Sequence, residues 1–285
     1  MYVLKIENYD LDILKILQSG QVFRYEILSE DSFVLIYQDH YVVVFKISGG
    51  YQFECEPEEF QSIWYSYLGL DLDYRAINQS IIHADDRFEG VIKEQMGLRI
   101  LRQDPFEMLI TFIISQSKTI PQIRKLVNEL SVKYGRYLGK VESIPIYAFP
   151  TSQALNHVKE EEFREMKFGY RAPYLEDAVR LVNCDIVQLS SAHILPSEDT
   201  LHMLKQIKGV GDKVASCVML FGLSDLEAFP VDVWMRKTMI YLYDDLGIKS
   251  KDIDIQKFGK KMFGSYAGIA QQYIFEYGRQ IIKNL

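Results

Sequence analysis

The segment from Leu204 to Cys217 reads LKQIKGVGDKVASC and decides how the second half of the chain folds. This pattern is typical of the end of one helix, a tight glycine hairpin and the start of another helix. Gly209 and Gly211 can both adopt positive φ and have no Cβ, so the backbone can turn sharply and approach a ligand closely. Free N–H groups and the dipole of the second helix favour an anion such as a DNA phosphate. We therefore expect Gly209, Gly211 and Val214 to contact DNA backbone, although a plain helix C-cap explains the glycines equally well.

A second segment, Ala228 to Lys237, reads AFPVDVWMRK. Pro230 restricts the backbone ahead of Asp232, and an apolar helical pattern follows. The sequence thus predicts Asp232 near a helix N-terminus, where a carboxylate is favoured. A simple N-cap and a functional anion are compatible here, because an anion beside a pocket can also stabilise a cationic sugar transition state.

The N-terminal part has a different pattern. Residues 33–37, 41–47 and 51–55 are rich in β-branched and aromatic residues, and short turns at 38–40 and 48–50 separate them. After Pro57, apolar residues recur at helical spacing. We predict an α+β fold, with a small N-terminal antiparallel β-sheet domain over residues 1–100 and a mainly helical domain over 101–285. The hairpin lies at about 200–237 of the second domain.

Composition excludes several classes of protein. With 285 residues, of which 48% are hydrophobic, the chain can bury its core without a disulfide or metal. Cys55, Cys184 and Cys217 are odd in number and scattered, which predicts neither a disulfide framework nor a zinc site. We expect no cofactor. No apolar run approaches the roughly 20 residues of a membrane span, so we expect no membrane contact.

The net charge of −7 argues mildly against nucleic-acid binding, because Lys and Arg supply most non-specific affinity for phosphates. The distribution of charge modifies that expectation. Acidic residues gather at 71–73 and 160–162, whereas Lys205, Lys208 and Lys213 surround the glycine hairpin. One locally basic face is therefore expected.

Together the hairpin and the segment ending in Asp232 resemble the helix-hairpin-helix superfamily of DNA glycosylases. In that superfamily a Lys at the place of Lys213 marks enzymes that also cleave the strand. Further segments are similar to the 8-oxoguanine DNA glycosylase (Ogg) family over nearly the whole chain. They are Ser19–Tyr25, Leu101–Glu107, Phe168–Ala172 and Tyr266–Gln271. The resemblance implies a helix-hairpin-helix glycosylase domain and a bifunctional N-glycosylase and DNA lyase.

The resemblance also implies catalytic roles. Lys213, once it has lost its proton, attacks the anomeric carbon of the flipped nucleotide, and a Schiff base forms that permits β-elimination. A place in a helix's first turn, partly dry inside a pocket, favours the neutral amine. Asp232 stabilises positive charge on the sugar. Without the resemblance, Lys213 would be interpreted as a solvated surface lysine.

Base recognition is implied at four positions. The carbonyl of Gly20 accepts the hydrogen on N7 of 8-oxoguanine, which guanine lacks. Gln271 and Phe275, four residues apart on one helix face, read the base edge and stack on the base. Cys217 lies on the base's other face. The alternatives are an ordinary turn glycine at Gly20 and core residues at Cys217 and Phe275.

At the positions expected to contact the base opposite the lesion, the sequence departs from the family. Ser117 begins the stretch that replaces three family asparagines, and Gln122 stands in place of an arginine. Only Tyr170 and Arg171 match the family residues that contact the opposite base. Trp234 replaces a phosphate-contacting histidine. We predict recognition of the lesion with relaxed selection of the opposite base.

Two alternatives remain open, a glycosylase for another damaged purine and a non-enzymatic DNA damage-binding protein. Related glycosylases with an iron–sulfur cluster carry four closely spaced cysteines near the C-terminus, and none follows Cys217. Glycosylases for alkylated bases lack the catalytic Lys, so Lys213 argues against that class but leaves another damaged purine as a substrate. A non-enzymatic DNA damage-binding protein would need neither Lys213 nor Asp232. Our interpretation is a monomeric, cytoplasmic, nucleoid-associated prokaryotic enzyme that acts on duplex DNA containing 8-oxoguanine.

Overall fold

The computed structural model of the chain describes residues 1–5, 11–244 and 251–281. Five antiparallel strands form the N-terminal sheet in the order β1-β5-β4-β3-β2. They are β1 Tyr2–Lys5, β2 Tyr25–Ser29, β3 Ser32–Tyr37, β4 His40–Ile47 and β5 Gly50–Phe53. The rest of the described chain is mostly helical. The predicted α+β fold class is therefore confirmed.

The predicted meander corresponds to β3, β4 and β5, whose register pairs Phe33 with Val44 and Val44 with Phe53. These three side chains are fully buried on the core face of the sheet. The flanking strands β1 and β2 were not predicted. In both, half-buried residues alternate with exposed ones, only Tyr25 is buried, and both lie at sheet edges. Their pairing with the meander, rather than their own composition, makes them strands.

Helices follow the sheet and build most of the core. They are α1 Ile13–Gln18, α2 Pro57–Glu59, α3 Tyr65–Tyr67, α4 Tyr74–Ala84, α5 Phe88–Gln95, α6 Pro105–Ile114, α7 Ile120–Tyr134, α8 Glu160–Glu165, α9 Ala172–Asn183, α10 Ser197–Leu204, α11 Asp212–Phe221, α12 Val233–Leu242, α13 Asp252–Phe263 and α14 Ala267–Ile281. A π-helical turn, Phe60–Trp64, joins α2 to α3. Among the described residues, no helix is both long and apolar enough to cross a bilayer.

A second, two-stranded sheet interrupts the helical part. Strands β6 Tyr137–Val141 and β7 Ile144–Tyr147 pair antiparallel. Ile146 of this hairpin is buried with Val34 and Ile36 on the outer face of the five-stranded sheet. The hairpin was not predicted because Gly139 and Pro145 weaken its strand pattern.

One apolar core runs through the described chain from Leu11 to Ile274. Within it α6 packs against α11, and α12 packs against α14. Helix α5, from the N-terminal part, also contacts α14. A domain boundary near residue 100 stays a proposal. These packed helices bring four distant parts of the sequence together.

Candidate active site

The glycine hairpin lies between α10 and α11, as predicted. Gly209 has φ +76°, and a Cβ there would lie 2.2 Å from Cδ2 of Tyr174. Both the backbone and the close packing therefore require glycine. Gly211 is different: it is the N-cap of α11 at φ −99°, and a Cβ would meet nothing within 4 Å. Of the two glycines that can adopt left-handed backbone, only Gly209 does so in this turn.

Two side chains hold the hairpin backbone from outside. Asp177 Oδ2 accepts a hydrogen bond from Lys208 N at 2.9 Å, and Gln116 Nε2 donates to the Gly209 carbonyl at 3.2 Å. The first-turn N–H groups of α11, which include that of Val214, have no partner within a helix by geometry. The hairpin thus presents a fixed set of donors to an anion.

Lys213 lies in the first turn of α11 and is half-buried. Its Nζ is 5.2 Å from the centroid of the Phe112 ring on α6. One turn later, burial raises the pKa of the Cys217 thiol to about 11, while Lys213 opposes and Asp232 adds to that rise. Lys213, Cys217 and Asp232 are therefore near enough to interact electrostatically.

Asp232 is the N-cap of α12, as predicted. Its Oδ1 accepts a hydrogen bond from Met235 N at 2.7 Å. The residues before it, Ala228 to Val231, are buried and give the loop little freedom. The carboxylate is consequently fixed in place before any substrate binds.

Helix α14 contributes the wall opposite Lys213. Gln271 is buried, and its Oε1 has no hydrogen-bond partner among the described residues. Phe275 follows one turn later and is half-buried. A buried carbonyl oxygen without a partner is costly, and such groups are candidates for ligand contact.

The loop after α1 supplies Gly20, which has φ +78°. A Cβ on Gly20 would lie 3.1 Å from Cδ1 of Ile120 and 3.8 Å from Cε1 of Phe275. The next side chain, Gln21, donates to the Arg99 carbonyl at 2.8 Å and accepts from Leu101 N at 2.8 Å. This loop is therefore pinned to the segment that precedes α6.

These elements line a cavity of about 70 Å³. Its lining residues are Gly20, Phe112, Lys213, Cys217, Phe221, Pro230, Asp232, Gln271, Gln272 and Phe275. All the residues predicted for catalysis and base binding meet here.

Four lining residues were not predicted as site residues: Phe112, Phe221, Pro230 and Gln272. Phe112 and Phe221 stand in apolar helices, where an aromatic residue usually belongs to the core. Gln272 was detectable only as the neighbour of Gln271. A larger cavity of about 670 Å³, lined by Phe106, Tyr134 and Phe149 among others, contains none of the predicted residues. The smaller cavity, which holds the predicted catalytic and base-binding residues, is therefore the better candidate for the active site.

The residues expected near the opposite base lie apart from this cavity. Ser117 is exposed with φ +53°, and Tyr170 Oη donates to its Oγ at 3.4 Å. The Arg171 guanidinium stacks 4.3 Å from the Tyr170 ring centroid and donates to the carbonyls of Gln116 and Phe168. The structure thus brings three of the four predicted residues together.

Gln122, the fourth, lies on the first turn of α7 and is exposed. Its Oε1 accepts from Thr119 N at 3.1 Å in a capping box. Trp234 is 38% exposed at the start of α12, and Lys237 Nζ lies 5.7 Å from its ring centroid. In the part of the chain described, no group of three or more His, Cys, Asp or Glu could hold a metal ion.

Comparison with known proteins agrees with this geometry. Residues 3–109 match the family model of the 8-oxoguanine DNA glycosylase N-terminal domain. The chain is 30% identical over 321 residues to an N-glycosylase/DNA lyase of Saccharomyces cerevisiae, covering 95% of this chain and 84% of the relative. It is 29% identical over 292 residues to N-glycosylase/DNA lyase OGG1 of Arabidopsis thaliana, covering 96% and 79%.

Solved structures are similar over the whole length. Clostridium acetobutylicum 8-oxoguanine glycosylase/lyase, in complex with duplex DNA containing cytosine opposite 8-oxoG, has a TM-score of 0.91 and 33% identity, covering 100% of this chain and 99% of that one. A 3-methyladenine DNA glycosylase from Archaeoglobus fulgidus has a TM-score of 0.78 at 20% identity and shares the fold.

Proposed function

Because the chain belongs to the 8-oxoguanine DNA N-glycosylase/lyase family, we propose that it excises 8-oxoguanine from duplex DNA with Lys213 as the nucleophile. The single observation that carries the proposal is the cavity in which Lys213 and Asp232 face Gly20, Gln271 and Phe275. Curated relatives are named as enzymes with both glycosylase and lyase activity, which disfavours the alternative of a non-enzymatic damage-binding protein.

The chemistry follows from the Lys213 amine. Once it has lost its proton, Nζ attacks C1′ of the extruded nucleotide, and the C1′–N9 bond breaks. The base leaves with that electron pair and takes up a proton. The sugar ring opens as O4′ takes a proton, which leaves a Schiff base between Nζ and C1′. Loss of a C2′ proton then breaks the C3′–O bond, and water hydrolyses the imine to free Lys213.

Asp232 stabilises the positive charge that develops on the sugar as the base departs. Its carboxylate is held by the helix cap to Met235 N. A charge fixed before the reaction needs little reorganisation during it, which is the condition for strong electrostatic stabilisation. Asp232 therefore acts on the sugar while Lys213 forms the bond.

Recognition of the lesion is assigned to the opposite wall. The Gly20 carbonyl accepts the N7 hydrogen of 8-oxoguanine, and Phe275 stacks on one face of the base. The buried Oε1 of Gln271, without a partner in the described chain, takes a donor on the Watson–Crick edge of the base. Cys217, a protonated thiol at neutral pH, covers the other face.

Docking of the DNA uses backbone groups at the hairpin. N–H groups near Gly209, Gly211 and Val214 bind phosphates on the strand that carries the lesion. Ser117, Tyr170, Arg171 and Gln122 face the partner strand, where we propose relaxed selection of the opposite base. A duplex-DNA substrate is consistent with a cytoplasmic, nucleoid-associated location, which we propose as well.

Borohydride trapping tests the assignment of Lys213. Borohydride reduces the Schiff base to a stable amine, so the wild-type protein should become covalently joined to an 8-oxoguanine duplex. Lys213→Gln should lose trapping and base release while it keeps DNA affinity, because the phosphate contacts come from the backbone. Lys208→Gln, at an exposed lysine of the same hairpin, is the matched control and should trap normally. Trapping by Lys213→Gln at the wild-type rate would contradict the mechanism.

A further inference from the structure

Arg279 lies on α14 one turn after Phe275, outside the cavity lining. Its guanidinium carbon is 5.7 Å from the centroid of the Phe275 ring, within the range of a cation–π contact. Its Nη1 donates to the Gln18 carbonyl at 3.2 Å and to Glu276 Oε1 at 2.7 Å. One side chain therefore contacts the stacking ring, its own helix and the end of α1.

The Gln18 carbonyl is at the end of α1, directly before the loop that carries Gly20. The next carbonyl, that of Ser19, accepts a hydrogen bond from Gln272 Nε2 at 3.1 Å. Donors on α14 thus hold the two peptide carbonyls that directly precede Gly20. A Cβ built on Gly20 would lie 3.8 Å from Phe275 Cε1, so the ring lies beside the Gly20 peptide.

We propose that Arg279 is a positioning residue for lesion discrimination, which fixes the Phe275 ring and the Gly20 peptide relative to each other. The inference rests on the proposed function, because it concerns the groups that read 8-oxoguanine. Arg279 acts through these two groups and does not touch the base. Its side chain is 23% exposed and links the Phe275 ring to the Gln18 carbonyl, two residues before Gly20.

The geometry explains why arginine suits this position. A planar guanidinium can lie on an aromatic face and donate in its own plane to a carbonyl and a carboxylate at once. A lysine ammonium has no planar fork and serves these partners less well together. Without the clamp, the ring and the loop can move independently, and the N7 contact at Gly20 loses its fixed distance from the stacked base.

The test uses two substrates that share Lys213 but differ in their need for a base pocket. A duplex with 8-oxoguanine requires the base to be read, whereas a duplex with an abasic site offers only the sugar. Arg279→Met should lower single-turnover excision of 8-oxoguanine by at least about tenfold, because it removes both a charge-assisted hydrogen bond and a cation–π contact. The rate of cleavage at the abasic site should stay within about twofold of wild type, because that substrate has no base for the pocket to read.

Two further variants keep the inference testable. Arg279→Lys keeps the charge, should retain the fold and should recover only part of the excision rate. Arg164→Met removes another Arg–Glu ion pair within one helix, with Glu160, outside the cavity lining and is the control. If Arg279→Met lowers the rates on both substrates equally, Arg279 has only a structural role. If its rate of 8-oxoguanine excision is unchanged, Arg279 does not position the base-reading groups. Either result overturns the inference. If the wild-type protein cleaves the abasic site but does not excise 8-oxoguanine, the proposed substrate itself is wrong.

Discussion

Arg24 and Glu107 form a doubly hydrogen-bonded ion pair between the start of β2 and α6. Arg24 Nε donates to Glu107 Oε1 at 2.8 Å, and Nη2 donates to Oε2 at 2.9 Å. The two side chains are only 4% and 7% exposed. The pair links the N-terminal sheet to α6, whose C-terminal half carries the cavity residue Phe112. It therefore affects both the stability of the fold and the position of the active site.

Glu107→Gln should destabilise the protein by about 3–5 kcal/mol, because the Arg24 guanidinium then stays buried without its counter-charge. The double variant Arg24→Met with Glu107→Met should recover most of that loss, since no charge remains buried. Urea unfolding of the three proteins measures the difference. A double variant as unstable as the single one would contradict this account of the pair.

Asp232→Asn should reduce turnover at least about 100-fold, because a neutral amide cannot stabilise a cationic sugar. The fold should change little, since Asn caps helices about as well as Asp. Asp104→Asn is the matched control, because Asp104 caps α6 through the same type of bond, to Glu107 N at 2.9 Å, outside the cavity. Single-turnover rates and melting temperatures, measured together, separate the two effects. Equal rate losses in both variants would assign Asp232 to helix capping alone.

Gln271→Leu should separate stability from activity. The buried Oε1 has no partner among the described residues, so an apolar side chain of similar size removes a desolvated group. We expect the free energy of unfolding to stay level or rise by about 1 kcal/mol. Excision of 8-oxoguanine should fall at least about tenfold, while affinity for undamaged duplex is unchanged, because the contact forms only with an extruded base. Matching losses of excision and of undamaged-DNA affinity would exclude base reading by Gln271.

The cysteines should react with alkylating agents in a defined order. The pKa of the Cys217 thiol and that of Cys55 are each raised to about 11, mainly by burial, so both are protonated at pH 8 and poor nucleophiles. Cys184 is exposed. Iodoacetamide at pH 8 should therefore modify Cys184 first and leave excision intact, and modification of Cys217 should become faster as the pH rises toward 11. Mass spectrometry of the alkylated peptides, with Cys184→Ser as the control, reads out the order. Early modification of Cys217 at pH 8 would contradict it.

Much of the catalytic half of the site could be predicted from sequence. The hairpin, the Lys213 position and the Asp232 cap are local patterns, in which a few neighbouring residues set both the backbone and the chemistry. Gly20 and Gln271 carry no such local signal, and only the family resemblance brought them to the site.

The remainder depends on tertiary packing. Nothing in the apolar pattern of α6 distinguishes Phe112, which lies under Lys213, from its core neighbours. The hairpin of β6 and β7 has weak strand patterning and is stabilised where Ile146 packs on the outer face of the sheet. Arg279 is at an exposed-looking helix position; its contact with Phe275 is local to α14, but its bond to the Gln18 carbonyl follows only from the tertiary fold.

Selection of the opposite base gives the last prediction. The enzyme should excise 8-oxoguanine opposite all four bases with a modest preference for cytosine. Ser117 has a short side chain, and the Gln122 carboxamide is engaged with Thr119 N, so neither offers the fork of donors with which an arginine grips a base. One bidentate contact is worth about 1–3 kcal/mol, so its absence relaxes selectivity by roughly 5- to 150-fold.

Arg171 can retain some cytosine preference, although its guanidinium must first leave the carbonyls of Gln116 and Phe168. Ser117→Asn is the informative variant, because φ is +53° at this position and Asn tolerates the left-handed region better than most residues. It should fill more of the gap left by the extruded nucleotide and leave the capping box of Gln122 untouched. The test measures single-turnover rates of 8-oxoguanine excision opposite C, T, G and A, at fixed salt, for the wild type and Ser117→Asn. A wild-type preference for cytosine above roughly a thousandfold exceeds what one arginine contact provides and would exclude relaxed selection.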